Sequence, residues 1–377
     1  MMKRLGDYIR PVDERNRDLK VTRLVGLTID KAFIPSVANT IGTDLSNYKV
    51  ISENQFACSL MQVSRDGKMP IAMFKGEPCI MSPAYPMFEV SKKNELLPEY
   101  LMMWFSRSEF DREASFYAVG GVRGSLEWND FCDMQIPVPA IEKQREIVAE
   151  YNTLATRIET NKKLIATLEQ TAGALYRHTF IDNIDPNNLP QGWRMGTLGE
   201  IIDVNPKLSL KKEEECSFVE MDSLPIEGYG ISEITKRDFL GGAKFQNGDV
   251  LFARITPCME NGKAGVVDGL NDNEVGAGST EFIVLRGKNI SLMGLLATIL
   301  RNEEFRTYAK AHQTGSDGRQ RVETSCISAY EHPIPSEKQL AEIEKIFSRI
   351  IKVCLSKSKE NQTLTQMQTL LLSKMGA

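Results

Sequence analysis

Residues Ile147–Thr179, IVAEYNTLATRIETNKKLIATLEQTAGALYRHT, decide the fold through their spacing. Ile147, Tyr151, Leu154, Ile158, Asn161, Ile165, Leu168, Ala172, Leu175 and Thr179 follow one another in alternating steps of four and three residues. Such a repeat of about 3.5 residues is the seam of a coiled coil. The stripe returns 196 residues later as Ile343, Phe347, Ile350, Cys354, Lys357, Asn361, Leu364, Gln368, Leu371 and Met375. Both stripes turn polar near the middle, from Asn161 to Lys163 and from Lys357 to Asn361. Buried polar positions cost stability but fix register, so the two helices are expected to meet there. A coil joining two copies of the chain would leave the same stripe. A second helix in the same chain, at high effective concentration, favours pairing within it.

Working outward, the rest of the chain is also written twice. Leu5-Gly6-Asp7-Tyr8-Ile9 returns as Leu198-Gly199-Glu200-Ile201-Ile202, and Ser106-Arg107-Ser108-Glu109-Phe110 as Arg301-Asn302-Glu303-Glu304-Phe305. Gly67-Lys68 matches Gly262-Lys263, Pro137-Val138-Pro139 matches Pro333-Ile334-Pro335, and Glu142-Lys143-Gln144 matches Glu337-Lys338-Gln339. So long a period means a duplicated domain with its tail, not a solenoid. The expected organisation is a domain over 1–140, a helix over 141–180, a second domain over 181–335 (181–192 being linker) and a helix over 336–377. Strand-like runs such as Gly248–Ile255 and Glu281–Leu285 sit between glycine turns, with short helices expected at Tyr100–Phe105 and Leu292–Leu300. Strands and helices do not alternate regularly, so the class is α+β.

If the long helices pair antiparallel, each spans roughly 33 residues, or roughly 50 Å. The two mixed domains would then be related by an internal pseudo-twofold. Duplex DNA has the same symmetry, and grooves on one face recur every ~10–10.5 base pairs. Such a molecule reads two half-sites with an unread gap. The domains differ outside their shared framework, so the site is expected to be asymmetric.

Composition narrows the class further. The 377 residues are 42% hydrophobic and 25% charged, an ordinary globular balance. No apolar run approaches the roughly 20 residues of a membrane span. The charged N-terminus lacks a signal peptide's apolar stretch, and seven well-separated cysteines suit reduced thiols, so a cytoplasmic protein is expected. The net charge is −4: residues 1–140 contribute −1 (17 basic, 18 acidic), 141–180 +1 (6, 5), 181–335 −7 (16, 23) and 336–377 +3 (7, 4). No segment has the excess of a stand-alone nucleic-acid binder, so basic groups must be locally concentrated or a partner must supply phosphate attraction.

Catalytic signatures are missing. Asn205-Pro206-Lys207 lacks the second proline and the aromatic residue of an amino-methyltransferase loop. There is no Gly-x-x-x-x-Gly-Lys-Ser/Thr phosphate cradle and no Glu-x-Lys. His178, His312 and His332 stand apart, without zinc spacing. Gly120-Gly121-Val122-Arg123-Gly124 does not match a dinucleotide fingerprint. A chain without its own catalysis, cofactor or metal is expected.

Basic residues in glycine-flexed loops recur at similar places in both copies: Arg65 and Lys68, then Arg123, in the first; Arg254 and Lys263, then Arg319 and Arg321, in the second. Arginine forks suit guanine O6/N7 or phosphate, and glycine lets a loop approach the groove. A solvated turn with incidental charge is the competing reading for each one alone; as paired sets they favour DNA. Gln62 and Tyr85 are weaker candidates. His178 and Cys354 are expected to pack on the helices, and Trp193 to anchor the second domain.

These residues resemble the specificity subunits of type I restriction–modification systems over nearly the whole chain. The resemblance rests on Leu189-Pro190-x-Gly192-Trp193 leading to Leu198-Gly199-Glu200, on Gly248-Asp249-Val250-Leu251-Phe252-Ala253-Arg254, on Ser279-Thr280-Glu281-Phe282, and on Ile136-Pro137-Val138-Pro139 before Glu142-Lys143-Gln144. It implies two target-recognition domains on a bipartite site of double-stranded DNA and an antiparallel helical ruler. It also implies two docked methyltransferase subunits that carry S-adenosylmethionine and methylate adenine N6. Restriction subunits, where present, add ATP- and Mg-dependent translocation and cleavage. The first copy departs by lacking Leu-Pro-x-Gly-Trp and by having Gln55-Phe56-Ala57-Cys58 in place of Asp-Val-Leu-Phe. Two other readings stay open: a specificity subunit whose single partner fuses nuclease and methylase, and a coiled-coil scaffold that binds proteins.

Overall fold

A computed structural model describes residues 2–36, 42–61, 63–120, 124–316 and 319–375. The two heptad stripes form two long helices, Ile141–Arg177 and Glu337–Lys374. Each begins just after its Pro-x-Pro segment, where a proline disfavours helix in the residue before it. The first helix relaxes into a π-helical turn at His178–Asp182. There His178, expected to pack, is exposed and takes a hydrogen bond from Asn183, because it falls between the inward-facing Tyr176 and Phe180 on the outer side of the turn. Cys354, by contrast, is fully buried.

The chain divides into two compact units. The first comprises Met1–Thr156 with Thr365–Ala377, and the second Arg157–Leu364, so each holds one mixed domain and a portion of both long helices.

In the first unit a four-stranded antiparallel sheet runs Ile9–Pro11, Met87–Val90, Gln55–Cys58, Ile71–Met73 in spatial order. Phe56 sits opposite Phe88, and their rings stack at 5.0 Å. Helices Pro98–Phe105 and Ser108–Tyr117 cover this sheet with Phe105 and Phe110, both buried in its core. Gln144, fully buried, fastens the first long helix here: its Oε1 accepts from Leu97 N and its Nε2 donates to the Glu95 and Pro139 carbonyls. Ile147, Tyr151 and Leu371 pack against the same core, which includes Met375.

The second unit repeats the frame. Its sheet runs Ile202–Val204, Phe282–Gly287, Val250–Ala253, Ala264–Val266, the same order of equivalent strands. Helices Met293–Arg301 and Glu303–Ala311 stand where the first unit has its pair. Gly294 lies so close to the second long helix that a Cβ would fall 2.3 Å from Ser348 N. That contact lets the buried Glu344 carboxylate accept from Gly294 N and Leu295 N, both at 2.8 Å, satisfying donors at the helix start. Arg301 ties the first long helix in by donating to Glu169 at 2.8 Å and to the Gly228 and Ala264 carbonyls.

Within this unit Asn161 donates to Asn361 at 3.0 Å and Arg157 pairs with Glu360, whereas Tyr176 stacks on His332, just ahead of the second helix. The two helices therefore run antiparallel here, and the polar midpoints of the two stripes meet. Ile165, Leu168, Leu175, Ile343, Phe347, Ile350 and Cys354 lie in or against the core of this unit. Leu154, Ile158 and Leu364 are half-buried. The class is α+β, as expected.

Outside the frame the units differ. The second adds a four-stranded sheet of Thr235–Asp238, Glu215–Val219, Gly276–Gly278 and Ala243–Phe245; the first has, among the described residues, two two-stranded pairs, Val25–Leu27 with Phe33–Pro35 and Lys49–Ile51 with Cys79–Met81.

Candidate nucleic-acid interface

In the second unit the chain leaves the central strand Val250–Ala253 at Arg254 and immediately meets a two-stranded hairpin, Gln313–Thr314 with Arg321–Val322. Thr256 N donates to Gln320 O, Val322 N to Arg254 O, and Arg254 N to Glu281 O. These backbone bonds bring Arg254, Arg319 and Arg321 to one place. Two carboxylates come with them. Arg321 donates Nε and Nη2 to Glu281, at 2.9 and 2.7 Å, and Arg254 Nη2 donates to Glu323 at 3.3 Å. The guanidinium holds the Glu281 carboxyl below the usual carboxylate range. Arg319 is exposed and has no ion pair among the described residues. A cleft of about 400 Å³ opens beside the cluster, lined by Asn205, Lys207, Lys244, Arg254 and Thr280 among others.

Lys263 does not join this group. Its backbone lies beside the strand end, where its O accepts from Ala253 N, but its side chain is only 14% exposed and its Nζ donates to Met221 O and Asp222 Oδ1, both at 3.2 Å. The Gly262-Lys263 match with the first copy placed it in a turn without showing how far that turn folds inward.

In the first unit the short helix Val63–Asp66 carries Arg65, which is exposed and pairs with Asp66 at 2.7 Å. Lys68 lies 3.6 Å from Asp30. Gly124, at φ +71°, faces this helix so closely that a Cβ would fall 2.2 Å from Ser64 Oγ. Gly124 and the Arg65 turn are thus neighbours, as the Arg254 turn and the strand Arg321–Val322 are in the second unit. Arg123 and Gln62 lie outside the described residues. Tyr85 packs against a core of the first unit and is half-buried.

The repeated motifs turn out to build the frame. Asp249, 1% exposed, takes a bidentate pair from Arg286 at 2.6 and 2.7 Å and accepts from Gln246 N. In the first copy Gln55 does the equivalent work, accepting from Ser52 N and donating to Glu89, so the departure there is a change of partner pair. Glu200 accepts from Thr197 N at 2.8 Å, capping the turn that Leu198-Gly199-Glu200 begins. Trp193 packs on Phe180 at 5.5 Å.

Glu281 and Glu323 were not among the sequence candidates. A usable signal was present: Arg319, Arg321 and Glu323 alternate at i, i+2 and i+4, the spacing of one strand face. Among the described residues no group of three His, Cys, Asp or Glu could hold a metal ion, and no helix is long and apolar enough to cross a membrane.

Residues 32–170 match the family model described as the type I restriction modification DNA specificity domain. The chain is 33% identical over 255 residues to the type I restriction enzyme EcoEI specificity subunit of Escherichia coli, covering 65% of this chain and 39% of that protein. It is 34% identical over 188 residues to the EcoAI specificity subunit of the same organism, covering 48% and 31%. It therefore spans well under two thirds of the length of either relative. A crystal structure of a type I restriction–modification S subunit from M. genitalium shares the fold, with a TM-score of 0.57 at 15% identity, over 100% of this chain and 95% of that one. The duplicated frame, the motifs that build it and these similarities agree: the chain is similar, in sequence over part of its length and in fold, to the specificity subunits of type I restriction–modification systems.

Proposed function

We propose that the chain is the sequence-reading subunit of a type I restriction–modification enzyme. It reads a bipartite, asymmetric site in double-stranded DNA and docks two adenine-N6 methyltransferase subunits, with restriction subunits where the system has them. S-adenosylmethionine, ATP and Mg belong to those partners, and the complex works in the cytoplasm. This chain contributes recognition and no bond-breaking step.

One observation carries the reading. In each unit the turn after the equivalent inner strand carries an arginine, Arg65 in the first and Arg254 in the second, and lies against a segment that follows the second short helix, at Gly124 and at Gln320–Val322, yet the residues in these places are unlike. A repeated frame with unlike readers suits a site whose two halves are unlike words. Arginine and lysine at these corners supply phosphate contacts for register and guanidinium forks for base edges.

Single-molecule sequencing of methyladenine in cells expressing the chain with its methyltransferase tests this directly. Two short, different words separated by a constant unread gap are expected. A contiguous or palindromic word would sink the proposal.

A further inference from the structure

The pair between Arg321 and Glu281 is more than a surface ion pair. A guanidinium has two edges that can each present two donors side by side. Arg321 spends its Nε/Nη2 edge on Glu281, with contacts of 2.7, 2.9 and 3.1 Å. The Nη1/Nη2 edge remains, apart from a long 3.4 Å contact from Nη1 to Arg319 O, and the side chain is 40% exposed. That edge is a two-donor fork, and guanine presents the matching pair of acceptors, N7 and O6, in the major groove. A neutral base edge accepts such a fork without penalty. A phosphate is a poorer partner, because Glu281 cancels the arginine's charge and repels the phosphate oxygens.

Arg319 is the opposite case. It lies two residues earlier, is exposed, and keeps its full charge with no ion pair among the described residues. Both arginines belong to a two-stranded hairpin, and the major groove, about 12 Å wide, admits a β-ribbon. Among the described residues the first unit has no equivalent clamp: Pro86 precedes its matching strand Met87–Val90, where Glu281 precedes Phe282–Gly287.

We propose that Arg321 determines specificity for a guanine in the half-site read by the second unit, with Glu281 as the positioning residue that aims it and Arg319 as a phosphate contact. This rests on the DNA-reading function above and adds the base and the residue that reads it.

The test uses the full chain in complex with its methyltransferase, a randomised duplex library, and affinities at several salt concentrations. Arg321→Ala and Arg321→Lys should each cut the preference for guanine at one base pair by ~5- to 150-fold, leaving the other half-site and the salt slope unchanged. Lysine keeps the charge but not the fork. Glu281→Gln should weaken the same preference, and the double variant Glu281→Ala with Arg321→Ala should be no worse than Arg321→Ala alone. Arg319→Ala should weaken every duplex alike and lower the salt slope by about 1.

Uniform loss with a reduced slope in Arg321→Ala would overturn the assignment, as would an intact guanine preference in either Arg321 variant. Damage at both half-sites from Glu281→Gln would also overturn it, by showing a merely structural role. A wild-type complex with no base preference overturns the DNA reading and this assignment together.

Discussion

His332 shows how one side chain can couple the helices to a domain. It is 1% exposed, and its ring lies 4.7 Å from Phe180 and 5.8 Å from Tyr176, both contributed by the first long helix and its final turn. Burial lowers its pKa to about 4, against ~6.5 in an unfolded chain. The folded state thus binds this proton less readily than the unfolded one. Stability that is fully present above pH ~6.5 drains away as pH falls toward 4, by up to ~3 kcal/mol. Glu274 and Glu360, held at about 2 by Lys236 and Arg157 respectively, lose their contributions only below the carboxylate range of ~4.3, and Glu113 and Glu344, raised by burial, gain stability as pH falls, so the loss in the upper window comes from the histidine. From pH 7 to pH 5 the urea midpoint should therefore fall for the wild type and not fall in His332→Phe, which keeps an aromatic ring and cannot titrate. Equal acid sensitivity in both proteins would exclude His332 as the source. Its role was not readable from the sequence, where three isolated histidines look alike. Separating buried His332 from exposed His178 takes the π-turn and the strand pairing.

At the scale of elements, the long helices were readable because many residues repeat one period, whereas the strands of the shared sheets are three to six residues long. A strand of that length leaves one or two turns of alternation, too few to fix its partners. What the sequence did carry was the repeat, and the repeat predicts that both sheets share one strand order, as they do. The hidden part was function inside the repeat: motifs such as Asp249 and Gln144 turned out to bind the frame to itself, while the two carboxylates beside the arginines come from outside the chosen loops. The seam is also uneven. Ile165 is 8% exposed within the core of the second unit, but Ile158 is half-buried beside the polar contacts of Asn161 and Arg157. An aspartate at Ile165 has no water to turn to and should cost ~3 kcal/mol or more. Ile158→Asp, with solvent and Arg157 near, should cost less than half as much. Thermal unfolding of the two variants reads the difference, and equal losses would mean that the seam is sealed along its full length.

For the whole molecule, charge is the governing fact. A net charge of −4, with −7 carried by residues 181–335, means that the duplex meets a repulsive background and only local basic corners. Affinity for DNA comes largely from displaced counterions, and log K falls with log salt at a slope near −0.9 per phosphate contacted. Arg254 and Arg321 are already paired with carboxylates and Lys263 is tied inward, so at this corner Arg319, Lys207 and Lys244 are the basic groups without an ion pair among the described residues. The chain alone should therefore hold a duplex weakly, with a shallow salt slope of two to three contacts, roughly −2 to −3. On the proposed function, adding the methyltransferase should steepen that slope and raise affinity by orders of magnitude, because the partner would then supply most of the phosphate contacts and this chain the choice of bases. Titrations of one cognate duplex between 50 and 200 mM salt, with and without the partner, measure both slopes. A chain that binds tightly by itself, with a slope as steep as that of the complex, would show that the partner adds no electrostatic attraction, and the division of labour argued from the charge map would be wrong.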